Sequence, residues 1–359
     1  MKFLLLSEST RRKALPNACE MFWGTPYAVL PQNTMESLVQ NSPLCFGRYP
    51  VAASVVLFWC LVHMAWPVEA SSKNGFELDT SLVSESEIYR GGPPRDGIPA
   101  IDKPTFVAAF EATLTVETPV MGVQLNGIAK AYPLRILNRH EVVNDSFAGT
   151  DVVVSFCPLC GSGVVFSLPE GRAATSFGVS GLLYNSDVLL YDRASESLWS
   201  QLLLKAISGP RRGEVLTLLA ATYTTWGEWL RRYPDSLLLR EPSADLIRYD
   251  NKPYADYQDS AQLWFPVAEK NAAFAAKERV LGLSINGVDK AYPHSELAGS
   301  EAVFDDLVGG QRVQIIWSEA SQSAYALDSE GLQLPSVSAY WFAWYSFHPQ
   351  TKVYRANNQ

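Results

Sequence analysis

Basic residues are scarce in this chain. Its 359 residues include 29 lysines and arginines against 37 acidic residues, which gives a net charge of -8 at neutral pH. Nucleic acids and anionic membrane surfaces are bound mainly through Lys and Arg side chains that neutralise phosphates. The composition therefore predicts no nucleic-acid partner and leaves small molecules or metal ions as the expected ligands.

Long apolar runs are scarce as well. The most apolar run, Val51 to Trp66, is shorter than the roughly twenty residues of a membrane span. It follows Arg48 and ends at Val68-Glu69-Ala70, a small-x-small cleavage pattern. We interpret residues 1–70 as a leader with a signal peptide, whose true start is possible at Met35, and we predict an exported, periplasmic or extracellular protein. An uncleaved N-terminal membrane anchor is the alternative.

Cysteines number only five, and three of them (Cys19, Cys45 and Cys60) lie in this leader. Without the leader the chain keeps Cys157 and Cys160 alone, so a framework of several disulfides is excluded. The two cysteines form the sequence Cys157-Pro158-Leu159-Cys160-Gly161, the cysteine knuckle of rubredoxins and zinc ribbons, in which two thiolates face one metal ion.

An internal repeat separates residues of the scaffold from candidate functional residues. The stretch Val120 to Gly171 matches Val280 to Gly331, and Glu141 and Asp145 align without a gap with Glu301 and Asp305. The metal-capable residues change between the copies, because the first has His140, Asn144, Cys157 and Cys160 where the second has Ser300, Phe304, Trp317 and Ala320. We therefore expect the chemistry in the first copy.

The pattern of the repeat predicts a β-rich α+β fold. Each copy has an apolar strand, an Asn-Gly turn typical of a hairpin and a short helix, at Leu134 to Arg139 in the first copy. Two β-branched runs, Thr150 to Phe156 and Gly163 to Leu168, flank the knuckle. We predict two related repeats of mainly antiparallel strands with a few short helices, packed as a pseudo-symmetric pair.

The remaining boundaries follow from composition. Residues 71–101 are polar and rich in Gly and Pro, which predicts an extended arm. The first repeat spans residues 102–241, the connection 242–267 and the second repeat, without the knuckle, 268–359. Asp102 before Pro104 predicts the cap of a short helix over Phe106 to Phe110. Residues 172–215 are an insertion that only the first repeat contains.

We predict a metal site formed by Cys157, Cys160 and His140, because sulfur and imidazole ligands suit zinc or copper. One knuckle supplies two of the four ligands of a closed site. A fourth ligand comes from Glu141, Asp145 or the insertion, or that position stays open to water or substrate. In an enzyme, Glu141 or Asp145 would be the catalytic proton carrier.

Two alternatives compete with this metal site. The cysteine pair can cycle between dithiol and disulfide as a redox centre, although thioredoxin-like motifs begin a helix and this motif joins two strands. The pair can also form a local disulfide in a non-catalytic binding or structural protein, with His140 merely buried.

The insertion combines hydrogen-bonding side chains with aromatic ones, a composition suited to a pocket; turns of a β-hairpin explain the same residues. The candidate pocket residues, two of them outside the insertion, are Asn144, Ser162, Tyr184, Asn185, Ser186, Asp192, Arg193, Trp199 and Ser200.

Several separate motifs resemble, in order, a family known as domain of unknown function 3179. They are His140 to Asp145, Phe156 to Ser162, Phe177 to Ser186, Tyr191-Asp192-Arg193 and Ser197 to Gln201. The resemblance covers Arg90 to the C-terminus. It implies that His140, both cysteines and the insertion residues belong to one recurrent set, and it implies no activity.

Overall fold

The structure is a computed structural model, and it describes residues 72–168, 175–242, 249 and 253–356. The predicted leader lies outside the described residues. No helix within the described ranges is long and apolar enough to cross a membrane. The described chain is rich in strands, most of them antiparallel, with five short α-helices, which confirms the β-rich part of the prediction.

The strands of the N-terminal part are β1 (Ser72–Lys73), β2 (Phe76–Glu77), β3 (Ile88–Arg90), β4 (Phe106–Ala108), β5 (Pro119–Leu125), β6 (Ile128–Pro133), β7 (Val142–Phe147), β8 (Thr150–Cys157), β9 (Ser162–Ser167), β10 (Phe177–Tyr184), β11 (Asp187–Asp192), β12 (Leu198–Ser200), β13 (Lys205–Ser208), β14 (Thr217–Leu219), β15 (Thr222–Thr225) and β16 (Leu237–Leu239). Those of the C-terminal part are β17 (Arg279–Ile285), β18 (Val288–Pro293), β19 (Val303–Val308), β20 (Gln311–Ser318), β21 (Ser323–Leu327), β22 (Val337–Tyr340) and β23 (Lys352–Val353).

The helices are short and lie at the ends of strands. They are α1 (Leu134–His140), α2 (Trp226–Arg232), α3 (Ala255–Asp259), α4 (His294–Leu297) and α5 (Trp341–Phe347), with single 3-10 turns at Glu85–Glu87 and Ala109–Glu111. Helix α1 begins directly after Pro133 and buries Leu134, Ile136 and Leu137, so the predicted helix over residues 134–139 is confirmed.

Two sheets position the cysteine knuckle and the insertion. The largest has the strand order β23-β18-β17-β22-β9-β8-β7, with β14 also paired to β9, and the knuckle joins β8 to β9. The insertion forms most of a second sheet in the order β13-β12-β11-β10-β3. Strand β3 belongs to the predicted arm, and its Ile88 is buried. The third large sheet has the order β15-β5-β6-β16-β4, and β19-β20-β21 form a three-stranded sheet.

Both predicted Asn-Gly hairpins are confirmed. Asn126 and Gly127 have φ angles of 51° and 76° between β5 and β6, and Asn286 and Gly287 have 49° and 76° between β17 and β18. Positive φ at both central residues is what a type I′ turn requires.

One predicted element is wrong. Phe106–Ala108 is strand β4, not part of a helix, because Phe106 pairs with Leu239 and Val107 with Leu238 of β16. Asp102 caps no helix there and accepts hydrogen bonds from Asn144 and Arg193 instead. Tertiary pairing of apolar side chains outweighs the local capping signal.

The same polar contact occurs in both halves of the chain. The Lys130 ammonium donates to both carboxylate oxygens of Asp145 at 2.9 Å, and the Tyr132 hydroxyl donates to Asp145 at 2.5 Å. In the second half, Lys290 and Tyr292 donate to Asp306 at 2.5 and 2.8 Å. The repeat alignment had paired Asp145 with the neighbouring residue, Asp305. The pseudo-symmetric packing of two repeats stays a prediction.

Replacing Asp145 by Ala would leave the Lys130 ammonium buried without its partner, since the side chains of this pair are only 9% and 7% exposed. We expect a loss of about 3–5 kcal/mol in the free energy of unfolding. Asp306→Ala should cost less, because the side chains of its pair are 15% and 17% exposed. Asp305→Ala should cost least, because Asp305 is half exposed and its partner Arg312 is exposed. Urea unfolding measures all three. Equal losses for Asp145→Ala and Asp305→Ala would contradict this account.

Candidate metal centre

The cysteine knuckle is a tight turn held by strand β22. Cys157 ends β8, and Gly161 after the second cysteine has a φ of 56°, a conformation that glycine adopts without strain. A Cβ atom at Gly161 would lie 2.8 Å from the ring of Tyr340, so a larger residue would require the ring to move. The Tyr340 amide also donates to the Cys160 carbonyl at 2.8 Å. The positions of both thiols are therefore fixed.

A second turn, from the insertion, meets the knuckle. Asn185 and Ser186 connect β10 to β11 with φ angles of 50° and 66°, and positive φ is uncommon for serine. The Ser186 carbonyl accepts from the thiols of Cys160 at 3.4 Å and Cys157 at 3.8 Å. The next residue, Asp187, consequently lies beside both sulfur atoms.

Cys157, Cys160 and Asp187 form the group that can hold a metal ion, because their ligand atoms lie within 4.8 Å of one another and all three side chains are buried. One carboxylate oxygen of Asp187, Oδ2, accepts from the Leu202 amide at 3.0 Å. The other, Oδ1, is buried without a hydrogen-bond partner among the described residues. Such an unsatisfied oxygen is rare in native structures and calls for a ligand or water.

Burial raises the pKa of Asp187 and of Cys160 in this group of three residues, which we call the thiol-carboxylate centre. It raises the pKa of Asp187 to about 8, although bonds from Leu202, Val188 and Ser200 oppose the shift. Burial also raises the pKa of the Cys160 thiol well above its usual range, and the neighbouring Cys157 and Asp187 add to this rise. Without a cation, Asp187 and Cys160 retain their protons at neutral pH.

Glu141 is a further buried acid close to the centre. Burial, with a smaller contribution from the charge of Asp187, raises its pKa to about 8. Glu141 ends helix α1 with a φ of 56°, and its carbonyl accepts from the amide of Phe156 at 2.9 Å. Its backbone is thus bonded to the residue that precedes Cys157.

Two tyrosines that the sequence assigned only to the connection lie near the thiols. The Tyr257 hydroxyl on α3 donates to the Leu159 carbonyl within the knuckle at 2.9 Å. Burial and the cysteine thiols raise the pKa of Tyr257, and burial and Glu141 raise that of Tyr254. No motif marks these residues; the only signal is that the connection is rich in tyrosine.

The structure does not bring His140 into the ligand group. Its Nδ1 lies 2.7 Å from the Pro99 carbonyl and its Nε2 lies 2.8 Å from the Tyr249 hydroxyl. Burial lowers the pKa of His140, so the ring is neutral. Both nitrogens lie within hydrogen-bond distance of protein oxygens, and Asp187, not His140, lies beside the two cysteines. The sequence alone does not single out Asp187 as a metal ligand, because the segment Tyr184 to Asp187 fits a pocket or a turn equally well.

Apart from Glu141, two of the other predicted site residues contact the thiol-carboxylate centre, and the rest contact other parts of the fold. Ser186 offers its carbonyl to the thiols, and the Ser200 hydroxyl is close enough to Asp187 to lower its pKa. Asp145 is bound by Lys130, as described above. The remaining contacts are Ser162 with Gln201, Asn144 with Phe177, Asp192 with Trp199, Arg193 with Asp102, Asn185 with Ala268 and Tyr184 with Phe347.

Fold and site together define a β-rich protein with two thiols and a carboxylate buried at the meeting of two turns. The chain belongs to the family described as protein of unknown function DUF3179, whose sequence model matches residues 95–351. The match includes the knuckle, Glu141 and Asp187. No curated protein and no solved structure matches the chain.

The raised pKa values of Glu141 and Asp187 predict a pH-dependent stability for the metal-free protein. Because both carboxyls bind their proton more tightly when folded, their contribution to the free energy of unfolding falls as the pH rises from about 4 to about 8. Asp187→Asn should make this fall less steep. Urea unfolding with a chelator between pH 5.5 and 8 measures the slopes. Asp151→Asn, at an exposed position, is the control, and parallel curves for wild type and Asp187→Asn would refute the expectation.

Proposed function

We propose that the protein binds a zinc ion through Cys157, Cys160 and Asp187. The proposal is carried by the unsatisfied Oδ1 of Asp187 in a buried group whose ligand atoms lie within 4.8 Å of one another. Thiolate sulfur and carboxylate oxygen are both zinc ligands, and catalytic sites use three protein ligands with a fourth position for water or substrate.

The carboxylate favours zinc over copper, the other metal that the sequence allowed. Copper in its reduced form prefers soft sulfur ligands, whereas zinc accepts sulfur and oxygen together. Charge supports a dication as well, since two thiolates and one carboxylate buried without a cation would carry three negative charges at a high desolvation cost. A zinc ion offsets two of these charges.

Glu141 is proposed as a proton carrier beside the metal, not as a ligand. It is absent from the ligand group, yet the charge of Asp187 contributes to its raised pKa. A buried carboxyl with a pKa near 8 is suited to exchange a proton with a molecule at the fourth position. Asp145 is not carried forward, because Lys130 and Tyr132 occupy its carboxylate.

Thiol redox chemistry is the second candidate, favoured by two free cysteines two residues apart. The raised pKa of Cys160 disfavours it, because the thiolate is the form that attacks disulfides. If the predicted export occurs, the oxidising surroundings would convert an unprotected pair to a disulfide. A bound metal ion would keep both sulfurs reduced.

We also propose that the two halves are related copies and that the second contains one extra residue. The Phe156 amide bonds to Glu141, and the Trp317 amide bonds to Ala302 in the equivalent place. By this match Glu141 corresponds to Ala302, and the cysteines correspond to Ser318 and Ser321. The proton carrier and the metal ligands then all belong to the first half alone.

Metal content tests the ligand set. We expect one zinc ion per wild-type chain and a loss of most of it in Cys157→Ser and Asp187→Ala, because each removes one of three protein ligands. Elemental analysis of folded protein, purified without affinity metals, gives the ratio.

His140→Ala and Glu141→Gln serve as matched variants at buried positions outside the ligand group, and both should keep the metal. Equal zinc in all five proteins would end the zinc proposal. For the redox candidate, thiol titration in the presence of a chelator should instead show a reversible two-electron couple.

Proton release distinguishes Asp187 from His140 as the third ligand. At pH 6.5 Asp187 retains its proton before zinc binds, so wild type should release about one proton more per zinc ion bound than Asp187→Asn. The difference should vanish above pH 9, where Asp187 has already lost its proton. Calorimetric titration in buffers of different ionisation enthalpy counts the protons. No difference at pH 6.5 would exclude Asp187 as a ligand.

A further inference from the structure

A cavity of about 640 Å³ opens between strands from both halves of the chain. Strands β5 and β15 supply one wall, and β17 and α4 supply another. Its lining includes none of the three proposed zinc ligands. The polar side chains that matter for a ligand are Glu117, Thr224, Glu278, Arg279, His294 and Ser321. Its volume lies in the range of small-molecule sites.

Arg279 is held rigidly in this cavity. Its guanidinium lies 4.1 Å from the ring centre of Tyr223 and 5.3 Å from that of Tyr340. One nitrogen, Nη1, donates to the Gly161 carbonyl at 3.2 Å, and its other N–H groups find no hydrogen-bond partner among the described residues. A guanidinium fixed between aromatic rings with free N–H groups is suited to bind a carboxylate.

His294 presents an imidazole to the same cavity. The ring is largely buried and packs edge-on against Trp317 at 4.8 Å between centroids. Burial, and secondarily the charge of Arg279, lowers the pKa of His294 to about 3, so the ring stays neutral. No group of the described chain hydrogen-bonds to its nitrogens. A neutral imidazole offers a ligand one donor and one acceptor.

The cavity also contains negative charge, which narrows the class of ligand. Glu117 and Glu278 line it together with Arg279; one oxygen of Glu278, Oε1, accepts from the Ser295 amide. A purely anionic molecule would be repelled by two carboxylates, and a purely cationic one by the guanidinium. A zwitterion satisfies both signs.

We propose that this cavity binds an α-amino acid. Its carboxylate pairs with Arg279, its ammonium group faces Glu117 and Glu278, and its side chain lies towards His294 and the hydroxyls of Thr224 and Ser321. The site is separate from the proposed zinc centre, although Arg279 bonds to the residue that follows Cys160.

Calorimetric titration with each of the twenty amino acids tests the proposal, with propionate and propylamine as probes that carry one charge each. We expect at least one amino acid to bind, and both single-charge probes to bind at least about tenfold more weakly, because each loses a charge-assisted contact. Absence of binding by all twenty would overturn the proposal. Equal binding of propionate or propylamine would overturn it too.

Substitutions inside and outside the cavity test where the amino acid binds. Arg279→Gln should weaken the amino acid at least about tenfold, whereas Arg312→Gln, whose side chain is 73% exposed and outside the cavity lining, should leave binding unchanged. Arg279 also supports the knuckle, so His294→Leu is a second variant. Leucine already follows the equivalent proline in the first half, at Leu134.

If Arg279→Gln does not fold, His294→Leu decides the test. An affinity for the amino acid equal to that of wild type would then overturn the proposal. Cys157→Ser should bind the amino acid as wild type does, whether or not zinc is present. This result separates failure of the amino-acid site from failure of the zinc centre.

Discussion

The central physical constraint of this structure is the removal from water of two thiols and a carboxylate that lie against one another. Each can ionise in water, yet in the thiol-carboxylate centre their charges would face low dielectric surroundings and one another. The centre therefore exists either with its protons or with a cation in their place. Apolar residues would fill the same volume without this cost, so packing alone does not explain the centre.

The centre depends on the alignment of two separate sheets. The knuckle belongs to the sheet of β8 and β9, and Asp187 to the sheet of β10 and β11. Asn144 joins them by bonding to both backbone groups of Phe177, and Gln201 from the insertion bridges Ser162 and Ser155. These buried side-chain bonds make the predicted pocket residues part of the support.

Local patterns predicted the local structure well and the site incompletely. The Asn-Gly hairpins, helix α1 and the strands on both sides of the knuckle follow from turn chemistry and β-branched residues close in sequence. Asp187 could not be found in this way, because it meets the thiols only through the pairing of distant strands. The helix predicted at Phe106 is wrong for the same reason, since the strand partner of Phe106, Leu239, lies far along the chain.

The comparison of the two halves was informative but misplaced one position. If the two halves are related as proposed, the adjacent residues Glu301 and Ala302 hide the position of the extra residue, and letter matching pairs Glu141 with Glu301. Backbone bonds pair it with Ala302 instead. The comparison also favoured His140 because it is unique to the first half. A residue can be unique to one half for structural reasons as well: His140 contacts Pro99 and Tyr249, which lie outside the stretch that matches the second half.

Backbone conformation supports the assignment of the centre independently of charge. Glu141 and Ser186 both have positive φ angles, which cost free energy in residues with a Cβ atom. The Glu141 carbonyl accepts a hydrogen bond from the strand that ends in Cys157. The Ser186 carbonyl accepts hydrogen bonds from both thiols. A glycine at either place would remove the strain, but glycine at position 141 would also remove the buried carboxyl. Position 186 belongs to the turn between β10 and β11, and this turn places Asp187 beside the sulfur atoms. The two strained backbone positions, Glu141 and Ser186, thus lie close to the unsatisfied carboxylate oxygen of Asp187. Backbone strain and unsatisfied polar groups are both expected at binding sites.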